Sequence, residues 1–199
     1  MALPRLAPQA AEECDQVVTR AVFLDRDGVI SANVQRDGRP VAPTSMADFR
    51  ILPGVEEAMR RLKELGFVLV VVTNQPDIST GRNTMATLDV MHDEMRRRLP
   101  LDEIKVCVHV DADGCHCRKP KPGMLLDAAR ERGIDLSRSI MIGDRWRDIE
   151  AGQAAGCLTI MIDWESNHEK SSTPHKTVRS LPEAVAYIVG HEHSEGGVS

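Results

Sequence analysis

The stretch Phe23-Leu24-Asp25-Arg26-Asp27-Gly28-Val29-Ile30 runs an apolar segment straight into two carboxylates two residues apart, then a glycine. Side chains alternate along an extended segment, so Asp25 and Asp27 point to one side. Like charges this close repel unless a cation lies between them or a proton is shared. A hard dication such as Mg²⁺, which takes oxygen ligands, meets that need. Gly28 lets the backbone turn sharply at the same place. An ordinary strand-to-turn junction, where Asp-Gly is common, is the competing reading of these residues.

The surroundings of this stretch place it in a fold class. Short apolar runs at Ala21–Leu24, Phe67–Thr73, Ile104–Val110, Ser139–Ile142 and Leu158–Ile162 read as buried parallel strands. Helical patterns separate them. Val55, Ala58, Met59, Leu62 and Leu65 share one face, with Gly66 as the stop. Leu88, Met91, Met95 and Leu99 form a second stripe, and Pro122 and Gly133 bracket a third helix. Ser180 with Glu183 makes a capping box for a last helix carrying Leu181, Val185 and Ile188. This alternation predicts an α/β fold, a three-layer doubly wound parallel sheet, with ligands bound beyond the carboxyl ends of the strands. No large insertion follows Gly28 or Gln75, so no cap domain is expected. Residues 19–189 are expected to form the domain, 1–18 a flexible N-terminal arm and 190–199 a fraying tail.

Polar motifs stand at the other expected strand ends. Val72-Thr73-Asn74-Gln75 offers a hydroxyl, amides and backbone N–H groups to phosphate oxygens, although a turn or helix cap would look similar. Arg118-Lys119-Pro120-Lys121-Pro122 sets three cations in four residues between prolines, which suits an anion or a solvated basic loop. Ile142-Gly143-Asp144-Arg145-Trp146-Arg147-Asp148 spaces two aspartates at i, i+4, near a helix start or as helix caps. Each motif has a bland alternative. Together, at successive strand ends, they supply what phosphoryl transfer needs: a carboxylate nucleophile, a second acid/base, a divalent cation and cationic stabilisation.

The set resembles the haloacid dehalogenase-like phosphatase superfamily, whose motifs match Asp25–Gly28, Thr73, Lys119, and Asp144 with Asp148. The likeness spans about Ala21 to Val189. It implies that Asp25 attacks phosphorus and that Asp27 protonates the leaving oxygen, then activates water. It implies Mg²⁺ held by Asp25, the backbone carbonyl of Asp27 and Asp144, with Asp148 as an orienting residue behind them. Thr73 and Lys119 would bind the transferring group, and Arg26, Asn74, Gln75 and Arg118 would contact substrate.

Cys107, His109, Cys115 and Cys117 have the form C-x-H-x5-C-x-C. Three thiolates and an imidazole are a standard tetrahedral Zn²⁺ set with no open position, so the zinc is expected to be structural and to pin the loop that delivers Arg118 and Lys119. His116 alternates with the cysteines and is expected to point away. Asp111 and Asp113 read as turn residues, and Cys14 and Cys157 as unligated. Reduced cysteines beside a chance histidine are the alternative.

With this cluster the chain is similar to the branch containing D-glycero-D-manno-heptose 1,7-bisphosphate phosphatases and histidinol-phosphate phosphatases. Pro76-Asp77 after Gln75 and the Ser31–Pro40 loop depart from the usual heptose pattern, Ser-Gly after the Gln and a His-Gly-Tyr in the loop. A heptose bisphosphate or related sugar phosphate is the leading substrate, histidinol phosphate the alternative. A nucleic-acid end phosphatase and a non-catalytic zinc-bearing interaction protein are less favoured. With 30 acidic against 25 basic residues, the charge of −5 opposes nucleic-acid binding through phosphate neutralisation. No apolar run approaches a membrane span and no signal-peptide stretch stands at the N-terminus. The expectation is a cytoplasmic protein, a monomer or small homo-oligomer, acting on a small phosphorylated metabolite.

Overall fold

The computed structural model describes residues 18–164 and 173–195; apart from Val18, the expected N-terminal arm lies outside them. In chain order the elements are β1 (Ala21–Leu24), β2 (Val34–Arg36), β3 (Arg39–Val41), α1 (Val55–Glu64), β4 (Val68–Asn74), α2 (Met85–Arg98) and β5 (Glu103–Cys107). They continue with α3 (Gly123–Arg132), β6 (Ile140–Gly143), α4 (Trp146–Ala155), β7 (Leu158–Ile162), β8 (Lys176–Val178) and α5 (Leu181–Glu195).

The main sheet has the order β5-β4-β1-β6-β7-β8 and its pairings are parallel. Its inner strands β1, β4, β6 and β7 read as largely apolar runs because both faces are covered, whereas the edge strands β5 and β8 carry Glu103, Lys105 and Lys176. On β1, Val22 and Leu24 face a core shared with Met59 and Leu62 of α1, Met91 and Met95 of α2, and Ile188 of α5. Ala21 and Phe23 face the opposite core, with Met124 and Leu125 of α3 and Ala151 of α4. The period-two alternation thus feeds two helical layers, which is the three-layer arrangement expected. From β1 the chain runs outward through β4 to β5, then returns to β6 on the other flank of β1. The strand order reverses there, so the carboxyl end of β1, where Asp25 begins, is the topological switch point.

Several elements differ from expectation. A small antiparallel hairpin, β2–β3, stands on the loop after Gly28; its Asp37-Gly38 tip has φ of 51° and 71°, the left-handed pair a two-residue hairpin requires. β5 stops at Cys107, where its partner β4 ends at Asn74. β8 was not foreseen. α5 runs to Glu195, past the expected tail boundary at 190, and Arg20 pairs with Glu192 at 2.7 Å; residues 196–199 lie outside the described ones. Its capping box is shifted: Ser180 Oγ accepts from Glu183 N, while Glu183 Oε2 accepts from Arg179 N. Among the described residues there is no cap domain, and no helix is long and apolar enough to cross a membrane.

Candidate active site

Asp25 leaves β1 with its N–H donating to Ile142 O at 2.9 Å, so the switch point fixes its backbone. Lys119 reaches it from the loop after β5: Nζ lies 2.9 Å from Asp25 Oδ1, 2.6 Å from Asp148 Oδ1, and donates to Val72 O at 2.7 Å. Asp148 is brought in by the first turn of α4, where its Oδ2 accepts from Arg145 N at 3.0 Å. Asp144, on the last turn of chain before α4, completes a buried cluster. One carboxylate oxygen each from Asp25, Asp144 and Asp148 lie within 4.8 Å of one another. Gly28, at φ 85°, makes room for this: a Cβ there would overlap the Asp144 carboxylate.

Three carboxylates face one ammonium. Burial lifts the Asp25 pKa to about 6; Lys119 pulls it down, and Asp148 and Asp27 push it up. Burial, then the charges of Asp25 and Asp148, hold Asp144 well above the usual carboxylate range. Burial disfavours the Lys119 cation, but Asp148 and Asp25 together outweigh it and keep its pKa above the ordinary lysine value. Full ionisation of the three carboxyls would therefore leave surplus negative charge in a low-dielectric setting, which a cation between them relieves, and their donor atoms are all oxygen. Both features fit Mg²⁺.

Asp27 is held differently. Its carboxylate accepts four hydrogen bonds: Arg26 Nε and Nη2 at 2.9 Å each, Ser31 Oγ at 2.9 Å and Gln75 Nε2 at 2.8 Å. Gln75 Nε2 also donates to Thr73 Oγ1 at 2.8 Å, which leaves the Thr73 hydroxyl proton to be given elsewhere. Arg26 is wholly buried, with Nη1 3.4 Å from Nε2 of His92 on α2. His92 is held neutral, its pKa lowered to about 4 by burial and then by the Arg26 charge.

Three of the expected substrate contacts, Arg26, Gln75 and Asn74, have their side chains engaged within the protein. Arg26 does not reach the cavity; it braces Asp27 from behind, and Gln75 does the same from the side. The resemblance implied that Arg26 contacts substrate, but its side chain turns into the protein. Asn74 lines the cavity, yet both ends of its amide are spent on the backbone of Lys119: Oδ1 accepts from Lys119 N at 3.2 Å and Nδ2 donates to Lys119 O at 3.1 Å.

A cavity of about 230 Å³ opens over Asp25 and Asp27. Its walls include Arg118, Arg145, Arg147, and Pro40 and Val41 of the hairpin. Arg145 and Arg147 were visible as cations within the fourth motif, but no spacing rule pointed them into the cavity. The hairpin's contribution could not be read from its sequence either, since three-residue strands carry too little pattern.

Cys107, His109, Cys115 and Cys117 converge. Sγ of Cys117 lies 3.2 Å from Cys107 Sγ, 3.5 Å from Cys115 Sγ and 3.4 Å from His109 Nδ1. Cys107 Sγ lies 3.8 Å from Cys115 Sγ and 3.6 Å from His109 Nδ1. The edges of a zinc tetrahedron are about 3.8 Å between sulfurs and about 3.5 Å from sulfur to nitrogen, given the usual bond lengths. The side chains therefore fit the ion. His116 points away, its Nε2 2.9 Å from Asp127 Oδ2. Cys157 is buried apart from the cluster, burial raising its pKa to about 12, and Cys14 lies outside the described residues.

The doubly wound sheet carries a buried aspartate cluster at its switch point, and the family of haloacid dehalogenase-like hydrolases matches residues 32–156, which gives the chain its hydrolase class. The chain belongs to that family. It is 38% identical over 148 residues to D-glycero-beta-D-manno-heptose-1,7-bisphosphate 7-phosphatase of Bordetella bronchiseptica, covering 72% of this chain and 80% of that one. The Escherichia coli K12 protein of the same name is 40% identical over 154 residues, covering 71% and 78%. Among solved structures, D,D-heptose 1,7-bisphosphate phosphatase from B. bronchiseptica, complexed with magnesium and phosphate, superposes with a TM-score of 0.77 at 31% identity, over 87% of this chain and 99% of that one.

Proposed function

We propose that this protein is a Mg²⁺-dependent phosphatase that hydrolyses a phosphorylated sugar through an aspartyl-phosphate on Asp25. The observation that carries this is the buried Asp25–Lys119–Asp148 chain at the floor of an arginine-walled cavity. Asp25 Oδ attacks phosphorus and the bond to the leaving oxygen breaks, with Asp27 giving that oxygen a proton. Water then attacks the same phosphorus and gives its proton to Asp27. The Asp25–phosphorus bond breaks, and inorganic phosphate departs. Lys119 and the Thr73 hydroxyl bind the transferring oxygens. Asp27 must turn out of its Arg26–Gln75 cradle to do this, because hydrogen bonds from Arg26, Ser31 and Gln75 hold its carboxylate oxygens and a protonated Asp27 has to face the leaving oxygen.

Asp25, Asp144 and the Asp27 backbone carbonyl would hold Mg²⁺, with Asp148 orienting Lys119 beside them. The ion would neutralise the carboxylate cluster and stabilise charge on the phosphoryl oxygens. Cys107, His109, Cys115 and Cys117 would hold a structural Zn²⁺ that keeps Arg118 and Lys119 in place.

For the substrate, a heptose 1,7-bisphosphate cleaved at the 7-phosphate is the reading best supported. The relatives bear that name, and Arg118, Arg145 and Arg147 stand beyond Lys119, where a second anionic group would need countercharge. Histidinol phosphate is not favoured, because its leaving group carries a primary ammonium that this wall would repel. The test is phosphate release from both compounds with Mg²⁺. Heptose 1,7-bisphosphate should be turned over far faster; a preference for histidinol phosphate would overturn the assignment.

A further inference from the structure

Asp111 was expected to be a turn residue of the zinc loop. Asp113 does play that part, its Oδ2 accepting from Val110 N at 2.8 Å. Asp111 shares that turn through its backbone, its O accepting from Gly114 N at 3.3 Å, while its side chain reaches out and joins two arginines of the cavity wall. Its Oδ1 accepts from Arg118 Nε at 2.8 Å and from Arg147 Nη1 at 2.8 Å, and its Oδ2 from Arg147 Nη2 at 3.1 Å. The arginines are otherwise anchored by backbone carbonyls: Arg118 Nη1 donates to His109 O at 3.0 Å, and Arg147 Nη1 lies 3.4 Å from Lys119 O. The Arg147 guanidinium also rests over the Trp146 ring, 4.8 Å from its centroid. Two long side chains from different elements, α4 and the zinc loop, thus meet on one carboxylate.

We propose that Asp111 is a specificity-determining positioning residue: it locks Arg118 and Arg147 into one receptor for the second, non-transferred phosphate of a sugar bisphosphate. This rests on the substrate reading above. A guanidinium is a planar fork, and its recognition of phosphate depends on the direction in which its N–H groups point. Asp111 takes Nε of one fork and both Nη of the other. Arg118 Nη2 and Arg147 Nε are left without a protein partner among the described residues. Free arginines would lose rotamer entropy on meeting the ligand; arginines already fixed lose less. One carboxylate against two guanidinia also leaves a net positive charge, so the receptor still attracts an anion. A salt bridge on this exposed rim adds little to stability, so its effect lies in orientation.

The experiment compares kcat/KM for D-glycero-D-manno-heptose 1,7-bisphosphate and for the corresponding 7-monophosphate, in the wild-type zinc-loaded protein, Asp111→Asn and Asp111→Glu. Wild type should prefer the bisphosphate. Asp111→Asn should lower that preference about tenfold, through the KM for the bisphosphate, and Asp111→Glu should restore part of it. If Asp111→Asn keeps or increases the preference, Asp111 is a spectator or a competing anion, and the inference falls while the substrate reading stands. If wild type shows no preference for the bisphosphate, the substrate reading fails and the inference goes with it.

Discussion

Lys119 Nζ lies 2.6 Å from Asp148 Oδ1, with both side chains only 2% exposed. This pair joins the loop after β5 to the first turn of α4, across the carboxyl end of β1. Removing one member of a buried pair leaves the other charge uncompensated, which costs about 3–5 kcal/mol. Asp148→Ala should fall at the low end, about 3 kcal/mol, because Asp25 still faces Lys119. Urea unfolding measures it. A loss below about 1 kcal/mol would mean the pair does not hold the two elements together.

Asp25→Asn keeps the size of the side chain and one oxygen that can accept from Lys119, but removes the carboxylate nucleophile. Phosphate release should cease, and the circular dichroism spectrum should be unchanged. Substantial residual turnover would show that another group attacks phosphorus.

Gly28→Ala would force a methyl group onto the Asp144 carboxylate and place alanine at φ 85°. The Mg²⁺ concentration for half-maximal activity should rise at least about tenfold, the scale typical of disturbances next to metal ligands. A Mg²⁺ titration of activity checks this. An unchanged midpoint would place the metal elsewhere.

Elemental analysis should find about one zinc per chain, and Cys117→Ser should lose it. Lys119 follows two residues after Cys117, so activity should drop with the metal. Full activity in a zinc-free variant would show that the loop holds its shape without the ion.

His92 gives the fold an acid limit. Its pKa, lowered to about 4, means the folded state prefers the neutral ring. The stability this supports is complete above about pH 6.5, the ordinary histidine value, and is lost as pH falls toward 4. By linkage the loss reaches at most about 3 kcal/mol. Thermal melts across that range should show a steeper decline for wild type than for His92→Asn, and parallel curves would remove His92 from the account.

The strands that build the site were legible because they are buried on both faces. β1 and β7 carry the expected boundaries, as does α1 with its Gly66 stop. Partners in the site were less legible. Asp25, Lys119, Asp144 and Asp148 lie far apart in the chain but at strand ends, so the α/β alternation alone brings them together. Arg26 and Asn74 sit in the right motifs, yet their side chains serve Asp27 and Lys119. Orientation of that kind depends on which neighbour offers an acceptor, and motif spacing does not encode it. Asp111 posed the same difficulty. Its partners, Arg118 and Arg147, come from separate segments, and only the fold puts them within reach of one carboxylate.

The lack of a cap domain among the described residues would set the order of events in a turnover. With no described element hinged over the cavity, the proposed mechanism leaves the sugar itself to screen the phosphorus from solvent during the attack by Asp25. The water that completes the proposed reaction would enter through the same mouth by which the sugar leaves. Departure of the first product therefore clears the way for the second half of the cycle, and the substrate's own bulk serves as a clock that a moving domain would otherwise provide.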